Sequence, residues 1–261
     1  MPSTRKILER LISGELSLEE AQDALRAASI SDLDGIAALD MNRDERSGVP
    51  EVVLAESKDT DGIARIAQRM VERKGYAIIT RLDRSKSDAL TRELSDFKIL
   101  LEGAGNHLTA VVQAEDWKFP EPKGKVGVLT AGTSDIPYAK EAEAVIRAMG
   151  IEPISFYDVG IAGIHRLVEP LRKMVEEKVS AIVVMAGMEG ALPTVIASLV
   201  DAPVIGVPIP TGYGHGGEGE TALAAMLQSC APGLAVVNIG NGVGAGAMAA
   251  LIARRCRSSE A

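Results

Sequence analysis

In the second half of the chain, short apolar runs alternate with longer amphipathic segments. The runs lie at residues 126–130, 154–159, 181–186, 204–207 and 234–239. The segments that follow them predict helices near residues 136–149, 167–177, 192–199, 220–229 and 246–254. An apolar run of this length is typical of a strand that is buried on both faces. The alternation therefore predicts βαβ units and an α/β domain, in which helices cover both faces of a parallel sheet to give three layers.

The first third of the chain mixes helical and strand-like patterns. Ser17 and Glu20 have the spacing of a capping box, in which each side chain binds the backbone N–H of the other at a helix start. Further along, the pattern predicts a helix over residues 60–73, closed by Gly75, and a strand over residues 76–80. Another apolar run lies at residues 36–39. These elements predict a smaller α+β domain.

Residues 113–125 separate the two patterns. This stretch combines prolines, a glycine and the chain's single tryptophan with charged side chains, which is typical of a linker. We therefore expect two domains, over residues 1–120 and 121–261.

The composition argues against several classes of protein. The net charge of −8 leaves no general basic face, so we expect no nucleic-acid partner. No apolar run approaches the roughly 20 residues that a membrane span requires, and no apolar signal core follows the first residues. Two cysteines in 261 residues do not suggest a disulfide framework. We expect a cytoplasmic protein with free thiols and no membrane partner.

The turn after the first strand of the second domain is a candidate phosphate site. Gly132 allows close approach of the backbone, Thr133 and Ser134 supply hydroxyl groups, and Asp135 can hold a ribose hydroxyl. The helix that follows directs free N–H groups toward any bound anion. The turn also fits a plain Ser/Asp helix cap, and from these residues alone the two interpretations stand at about even odds.

Two further turns follow predicted strands. His165 and Arg166 come after the second strand, where cationic side chains suit a phosphate or a carboxylate; the alternative is a solvated helix start. Gly187, Met188 and Glu189 come after the third strand. Glu189 is a candidate acid–base group or metal ligand, and the alternative is a charge at the N-terminus of the next helix.

Residues 208–220 are rich in glycine and include Tyr213 and Gly214. So much glycine near the ligand edge of a parallel sheet suggests a lid or binding loop, although a flexible surface connection stays open. Asn241 lies in another glycine-rich turn, after the last strand.

Cys230 ends a predicted helix. Most single cysteines are small buried apolar residues, and the negative end of a helix dipole disfavours a thiolate. A nucleophilic role for Cys230 therefore requires a positive charge nearby.

Several motifs in order carry a resemblance to known families. The run from Ala131 to Pro137, the pair His165-Arg166 and the run Ala191-Leu192-Pro193 resemble PurE-type aminoimidazole ribonucleotide carboxylases, which have a flavodoxin-like fold. Those enzymes carry a histidine before Leu-Pro, where this chain has Ala191, and they lack the first domain.

The chain is more similar to the LarB family, over nearly its whole length. In the first domain this resemblance is carried by Asp40, Arg43, residues 46–53, Lys58 and residues 80–81. In the second domain it is carried by residues 132–137, 158–166, 187–193, 212–214 and 227–231. The chain has Gly240 where that family usually has an aspartate, and its segment 207–210 also differs from the usual one.

The resemblance implies an activity and a set of site residues. The family makes pyridinium-3,5-biscarboxylic acid mononucleotide, on the way to a nickel-pincer nucleotide, from nicotinic acid adenine dinucleotide and CO2, and it releases AMP. Cys230 is then the nucleophile that adds to the pyridinium ring, whose own charge supplies the required cation. Glu189 is expected to handle a proton or a metal. The nucleotide contacts are expected from Gly132, Thr133, Ser134, Asp135, His165, Arg166, Gly187, Met188, Tyr213, Gly214 and Asn241.

The resemblance also implies partners and alternatives. A magnesium ion is plausible beside the phosphates, NAD is a plausible substrate analogue, and no tightly bound organic cofactor is expected. PurE-type domains assemble as octamers, so we expect a homo-oligomer. The competing interpretations are a PurE-type carboxylase or mutase, and a non-catalytic nucleotide sensor in which Cys230 is merely part of the core.

Overall fold

The computed structural model describes residues 4–32 and 38–257. These residues form two compact units. The first contains the described residues up to Leu101 together with residues 110–118. The second contains residues 102–109 and the described residues from Phe119 onward. Within the described part of the chain, no helix has both the length and the apolar character needed to cross a membrane.

The first unit combines helices with a mixed sheet. Its helices are α1 (Thr4–Ile12), α2 (Leu18–Ser29), α3 (Arg43–Ser47), α4 (Thr60–Lys74) and α5 (Arg84–Glu93). Its strands are β1 (Ile30–Asp32), β2 (Ala38–Asp40), β3 (Val52–Leu54) and β4 (Tyr76–Leu82), together with parts of β5 (Lys98–Ala104) and β6 (His107–Gln113). Strands β1 and β2 pair with each other, and the others form a sheet in the order β3-β4-β6-β5.

Local signals explain where several of these helices begin and end. The capping box before α2 is present: the Ser17 N–H donates to Glu20 over 2.8 Å, and the Glu20 N–H donates to the Ser17 hydroxyl over 3.2 Å. Asp59 accepts from the Gly62 N–H at the start of α4, and Gly75 ends that helix at a φ of 84°. Half of the apolar run at residues 36–39 falls in β2, whereas residues 36 and 37 lie outside the described residues.

The second unit is the expected three-layer α/β fold. Its strands are β7 (Lys125–Thr130), β8 (Glu152–Phe156), β9 (Ile182–Ala186), β10 (Val204–Pro208) and β11 (Leu234–Val236). Its α-helices are α6 (Ile136–Ala148), α7 (Val168–Glu176), α8 (Leu192–Ala197), α9 (Glu220–Leu227) and α10 (Gly242–Arg257), and short 3-10 turns precede α6 and α7. The five strands pair in parallel in the order β11-β10-β9-β7-β8.

Two of the boundaries that differ from the sequence expectation have a clear physical reason. The second strand of this unit ends at Phe156 rather than at residue 159, because Asp158 adopts a left-handed φ of 57° that turns the chain out of the sheet. Helix α10 begins at Gly242 rather than at residue 246. A Cβ at Gly242 would lie 2.3 Å from the Tyr138 carbonyl oxygen, so this glycine lets α10 pack closely against α6.

The core of the second unit lies between the sheet and its helices. Leu129, Val184 and Val204 come from three neighbouring strands and are fully buried. They belong to the same apolar cluster as Met174 of α7 and Ile196 of α8. Nearly continuous apolar strands such as β9 and β10 are what a parallel sheet covered on both faces requires. This core holds the carboxyl ends of β7 and β9 side by side.

Candidate functional site

A cavity of 420 Å³ opens where the strand order reverses. Strand β7 connects to β8 on one side of the sheet, whereas β9 lies on its other side, so a crevice forms between the carboxyl ends of β7 and β9. Seven of the residues expected from the sequence line this cavity: Gly132, Ser134, Asp135, Arg166, Gly187, Met188 and Glu189. These residues come from three separate turns that the sheet brings to one edge.

The turn after β7 forms the floor of the cavity next to the start of α6. Its residues Thr133–Asp135 make one 3-10 turn, and α6 follows at Ile136 with a proline in its first turn. Thr133 is exposed and is not among the cavity-lining residues, whereas the Ser134 side chain is. Free backbone N–H groups at this helix start can meet an anion in the cavity.

Asp135 organises this turn. Its side chain is only 3% exposed, and it accepts hydrogen bonds from the Gly132 N–H over 2.8 Å and from the Thr211 hydroxyl over 3.3 Å. Burial raises the pKa of Asp135 above its ordinary value, although these hydrogen bonds favour the charged form. Its carboxylate therefore joins the turn after β7 to the loop after β10.

Arg166 reaches the cavity from the turn after β8. Its guanidinium donates to the Asp158 carbonyl oxygen over 2.6 Å and pairs with the Asp158 carboxylate over 3.1 Å. These contacts hold the charged group at the cavity while its side chain stays partly exposed. The neighbouring His165 is exposed, and it does not line the cavity.

The turn after β9 forms the opposite wall. Met188 has a left-handed φ of 51°, an uncommon conformation for a residue other than glycine. The turn passes close to the loop after β10, since a Cβ at Gly187 would lie 2.3 Å from the Thr211 carbonyl oxygen. Glu189 is exposed and borders the cavity, so its carboxylate is available to a ligand.

A second cavity of 170 Å³ adjoins the first. The two share Met188, Glu189 and Thr211, and the glycine-rich loop after β10 supplies most of the remaining wall, including Tyr213. Gly214 belongs to the same loop, with a φ of 78°, but is not a lining residue.

Two of the expected site residues lie elsewhere. The Asn241 side chain accepts from the Gly244 N–H over 2.8 Å, so it caps the first turn of α10. Cys230 is exposed, in the connection from α9 to the amino end of β11, and is not among the residues that line either cavity. The Ser229 hydroxyl, next to Cys230, accepts from the Thr194 hydroxyl over 2.9 Å in the first turn of α8.

Thr211 is the main addition that the structure makes to the expected site. It lines both cavities and contacts Asp135, which is 76 residues earlier in the chain. Its place in the glycine-rich loop was the signal available in the sequence, but its partner was not. Within residues 4–32 and 38–257, no group of three or more His, Cys, Asp or Glu side chains is arranged to hold a metal ion. Any magnesium ion at Glu189 would therefore depend on substrate phosphates and water for most of its ligands.

The second unit is a parallel α/β domain with a cavity where the strand order reverses. Its sequence agrees with this class, since residues 125–260 match the family model described as AIR carboxylase. Residues 30–103 match the family model described as the LarB/PurE-like N-terminal domain. With both domains in this order, the chain belongs to the LarB family, with a C-terminal PurE-like domain.

Curated relatives agree with this assignment. An uncharacterized protein of Methanocaldococcus jannaschii is 45% identical over 253 residues, which cover 96% of each chain. The N5-carboxyaminoimidazole ribonucleotide mutase of Thermotoga maritima is 31% identical over 135 residues, covering 49% of this chain and 74% of the relative. The enzyme of the same name from Aquifex aeolicus is 33% identical over 134 residues, covering 50% and 77%. These relationships support an enzyme of the carboxylase or mutase kind.

Proposed function

We propose that the chain carboxylates the pyridinium ring of nicotinic acid adenine dinucleotide with CO2 and hydrolyses its phosphoanhydride. The products are pyridinium-3,5-biscarboxylic acid mononucleotide and AMP. The observation that carries the proposal is the 420 Å³ cavity, which has a helix start and Arg166 on one side and the Glu189 carboxylate on the other. The first side suits the phosphate of a substrate. On the second side, the Glu189 carboxylate can accept a proton from the substrate.

The carboxylation needs a nucleophile because a cationic pyridinium ring does not attack CO2. The Cys230 thiolate adds to the ring carbon para to nitrogen, which breaks aromaticity and leaves an enamine. The free meta carbon of the enamine attacks CO2 and forms the new C–C bond. That carbon then loses its proton, to Glu189 in this proposal, and expulsion of the thiolate restores the aromatic cation.

The second reaction is hydrolysis at phosphorus. Water attacks one phosphorus of the anhydride, and the P–O bond breaks to give two phosphate monoesters, one of which is AMP. Arg166 and the helix start border the cavity, which supports a role for them in stabilising the charge on the phosphate of the pyridine nucleotide. If magnesium takes part, Glu189 would supply one carboxylate ligand, and the ion would neutralise charge on the phosphates.

The position of Cys230 places a condition on this mechanism. Because Cys230 does not line either cavity in one copy, we propose that a second copy of the chain brings its Cys230 to the cavity. The proposed homo-oligomer is then part of the active site rather than only a means of stabilisation.

The activity test uses the full chain with nicotinic acid adenine dinucleotide, bicarbonate and magnesium, and follows both products by mass. We expect product from the wild type, none from Cys230→Ala, and a strong loss in Glu189→Gln. Cys256→Ala is the matched control, since Cys256 is the other exposed cysteine, and it should keep full activity. N5-carboxyaminoimidazole ribonucleotide serves as the comparison substrate. An inactive wild type, or full activity in Cys230→Ala, would refute the proposal.

A mixing experiment tests whether the site is shared between copies. Cys230→Ala and Arg166→Ala chains are each expected to be inactive and are then co-expressed. If two copies build each site, random mixing restores about a quarter of the wild-type sites. No recovery, with an active wild type, would show that Cys230 acts within its own copy.

A further inference from the structure

Arg166 is held at the first cavity by the turn that follows β8. Its guanidinium binds both the carbonyl oxygen and the carboxylate of Asp158. The two side chains are 36% and 52% exposed, and an ion pair so open to solvent contributes little to fixing a long side chain. The position of Arg166 therefore depends on how firmly the backbone at Asp158 is held.

The backbone at Asp158 has a conformation that needs support. Asp158 adopts a left-handed φ of 57°, which is uncommon for a residue other than glycine and carries strain. Such a conformation persists only where the surrounding contacts favour it over the alternatives. Two buried contacts supply this support, one to the strand beside β8 and one to the helix that packs on it.

The first contact comes from Thr130, the last residue of β7. Thr130 is fully buried, and its hydroxyl oxygen accepts from the Asp158 N–H over 3.1 Å. Its carbonyl oxygen accepts from the Val159 N–H over 2.9 Å. Two successive N–H groups of the turn are thus bound to one residue of the neighbouring strand.

The second contact comes from Tyr157, the residue before Asp158. Its hydroxyl group donates to the Glu143 carboxylate of α6 and accepts from the Lys140 ammonium group over 2.8 Å. Glu143 is 2% exposed and also accepts from the Ser155 hydroxyl over 2.8 Å. A buried charged group with several partners holds them in one arrangement, so Tyr157 ties the turn to α6.

We propose that Thr130 and Tyr157 are positioning residues, which fix the turn at Asp158 and through it the guanidinium of Arg166 at the cavity. This inference rests on the proposed function, in which Arg166 binds the phosphate of the pyridine nucleotide. A guanidinium that is already in place loses less conformational freedom when the phosphate binds, so a firm turn increases affinity. Thr130 and Tyr157 act without touching the substrate, since neither lines the cavity.

Calorimetric titration of the full chain with nicotinic acid mononucleotide measures this contribution. Thr130→Val keeps the shape of the side chain but removes its hydroxyl group, and Tyr157→Phe keeps the ring but removes its hydroxyl group. We expect each to weaken binding roughly threefold to tenfold, which corresponds to the cost of ordering one side chain. Thr130→Ser retains the hydroxyl group and should bind as the wild type does. Ser155→Ala is the matched control: it removes a hydrogen bond to the same Glu143 carboxylate but leaves the turn intact, so affinity should not change.

A double-mutant cycle shows whether these effects pass through Arg166. Thr130→Val and Tyr157→Phe are each combined with Arg166→Ala. Neither should then weaken binding further, because the guanidinium that these residues position is absent. Equal losses with and without Arg166 would mean a general structural effect and would overturn the proposal.

Other outcomes separate this inference from the proposed function. Unchanged affinity in both Thr130→Val and Tyr157→Phe would overturn the positioning role, as would a wild type that does not bind the mononucleotide. A loss in Ser155→Ala as large as that in Tyr157→Phe would assign the effect to the carboxylate rather than to the turn, and would also overturn it. Coupling to Arg166 in a protein without turnover would refute the proposed function alone, whereas turnover without coupling would refute only the positioning role.

Discussion

At the level of single residues, Asp135 is the side chain that connects the turns of the candidate site. It is buried, it accepts from the Gly132 N–H and from the Thr211 hydroxyl, and it precedes α6. Its position in a Gly-Thr-Ser-Asp turn could be predicted from the sequence, and so could its proximity to a helix start. Its contact with Thr211 could not, because no local pattern relates residues 76 positions apart.

The raised pKa of Asp135 makes a prediction about stability and pH. A folded-state pKa above the unfolded value means that the folded protein binds the proton more tightly. The contribution of this group to stability therefore falls as pH rises through the two values, and it stays low at neutral pH. We expect Asp135→Asn to be more stable than the wild type at pH 7, with the difference vanishing in acid.

Thermal or urea unfolding at pH 7 and in acid measures this difference in stability between Asp135→Asn and the wild type. The exposed Asp201→Asn, in the same unit, is the control and should show no such trend. If Asp135→Asn proves less stable at pH 7, the hydrogen bonds to the carboxylate outweigh its burial.

Gly187 gives a second prediction at the residue scale. A Cβ added at Gly187 would lie only 2.3 Å from the Thr211 carbonyl oxygen, so Gly187→Ala must displace the loop after β10. We expect a loss of about 1–3 kcal/mol in the free energy of unfolding. Gly217→Ala, in the same loop with nothing within 4 Å of its Cβ, should change stability by less than about 1 kcal/mol. Equal effects in the two variants would contradict this explanation.

At the scale of elements, the turn between β5 and β6 packs on α6. The His107 ring lies 2.8 Å from the Glu141 carboxylate and edge-on to Tyr138, with ring centroids 4.4 Å apart. Glu102, on the same hairpin, pairs with Lys140 and Arg147 of α6. Neither this hairpin nor α5 was predicted from the sequence. Strand β5 is largely exposed and shows no clean alternation, and its contacts depend on a helix far along the chain.

The contact between His107 and Glu141 predicts a stabilising role for the hairpin turn. Glu141 is 1% exposed, so His107→Ala removes a hydrogen-bond donor from a buried carboxylate. We expect a loss of about 1–3 kcal/mol in the free energy of unfolding, together with faster amide exchange in residues 102–109. His215→Ala, at an exposed position, is the matched control. An unchanged exchange rate in the hairpin would argue against the role.

At the scale of the whole molecule, several large apolar side chains of the second unit are exposed. Leu227 is 67% exposed and lies three residues before Cys230, and Met188 of the candidate site is also exposed. Exposed apolar groups beside functional residues are typical of surfaces that bind a partner. A second copy of the chain fits the proposal that Cys230 acts at the cavity of another copy.

This proposal predicts that assembly and activity are lost together. Leu227→Asp places a charge in the proposed contact, so light scattering should report a smaller particle than for the wild type, and turnover should fall. Ile12→Asp makes the same change at an exposed position on α1 and should leave the particle mass unchanged. A monomeric wild type, or an intact oligomer in Leu227→Asp, would contradict the prediction.

The succession of strands and helices along the second unit, and the capping box before α2, could be predicted from the sequence. The sequence also placed the candidate residues in turns that follow strands. These features depend on periodicity and on contacts a few residues apart, which the local sequence encodes. Only the folded structure shows which turns meet: it joins Thr211 to Asp135 and leaves Cys230 out of the cavity wall. Such relations depend on the order of strands in the sheet and on close backbone packing, which bring together residues that the chain keeps far apart.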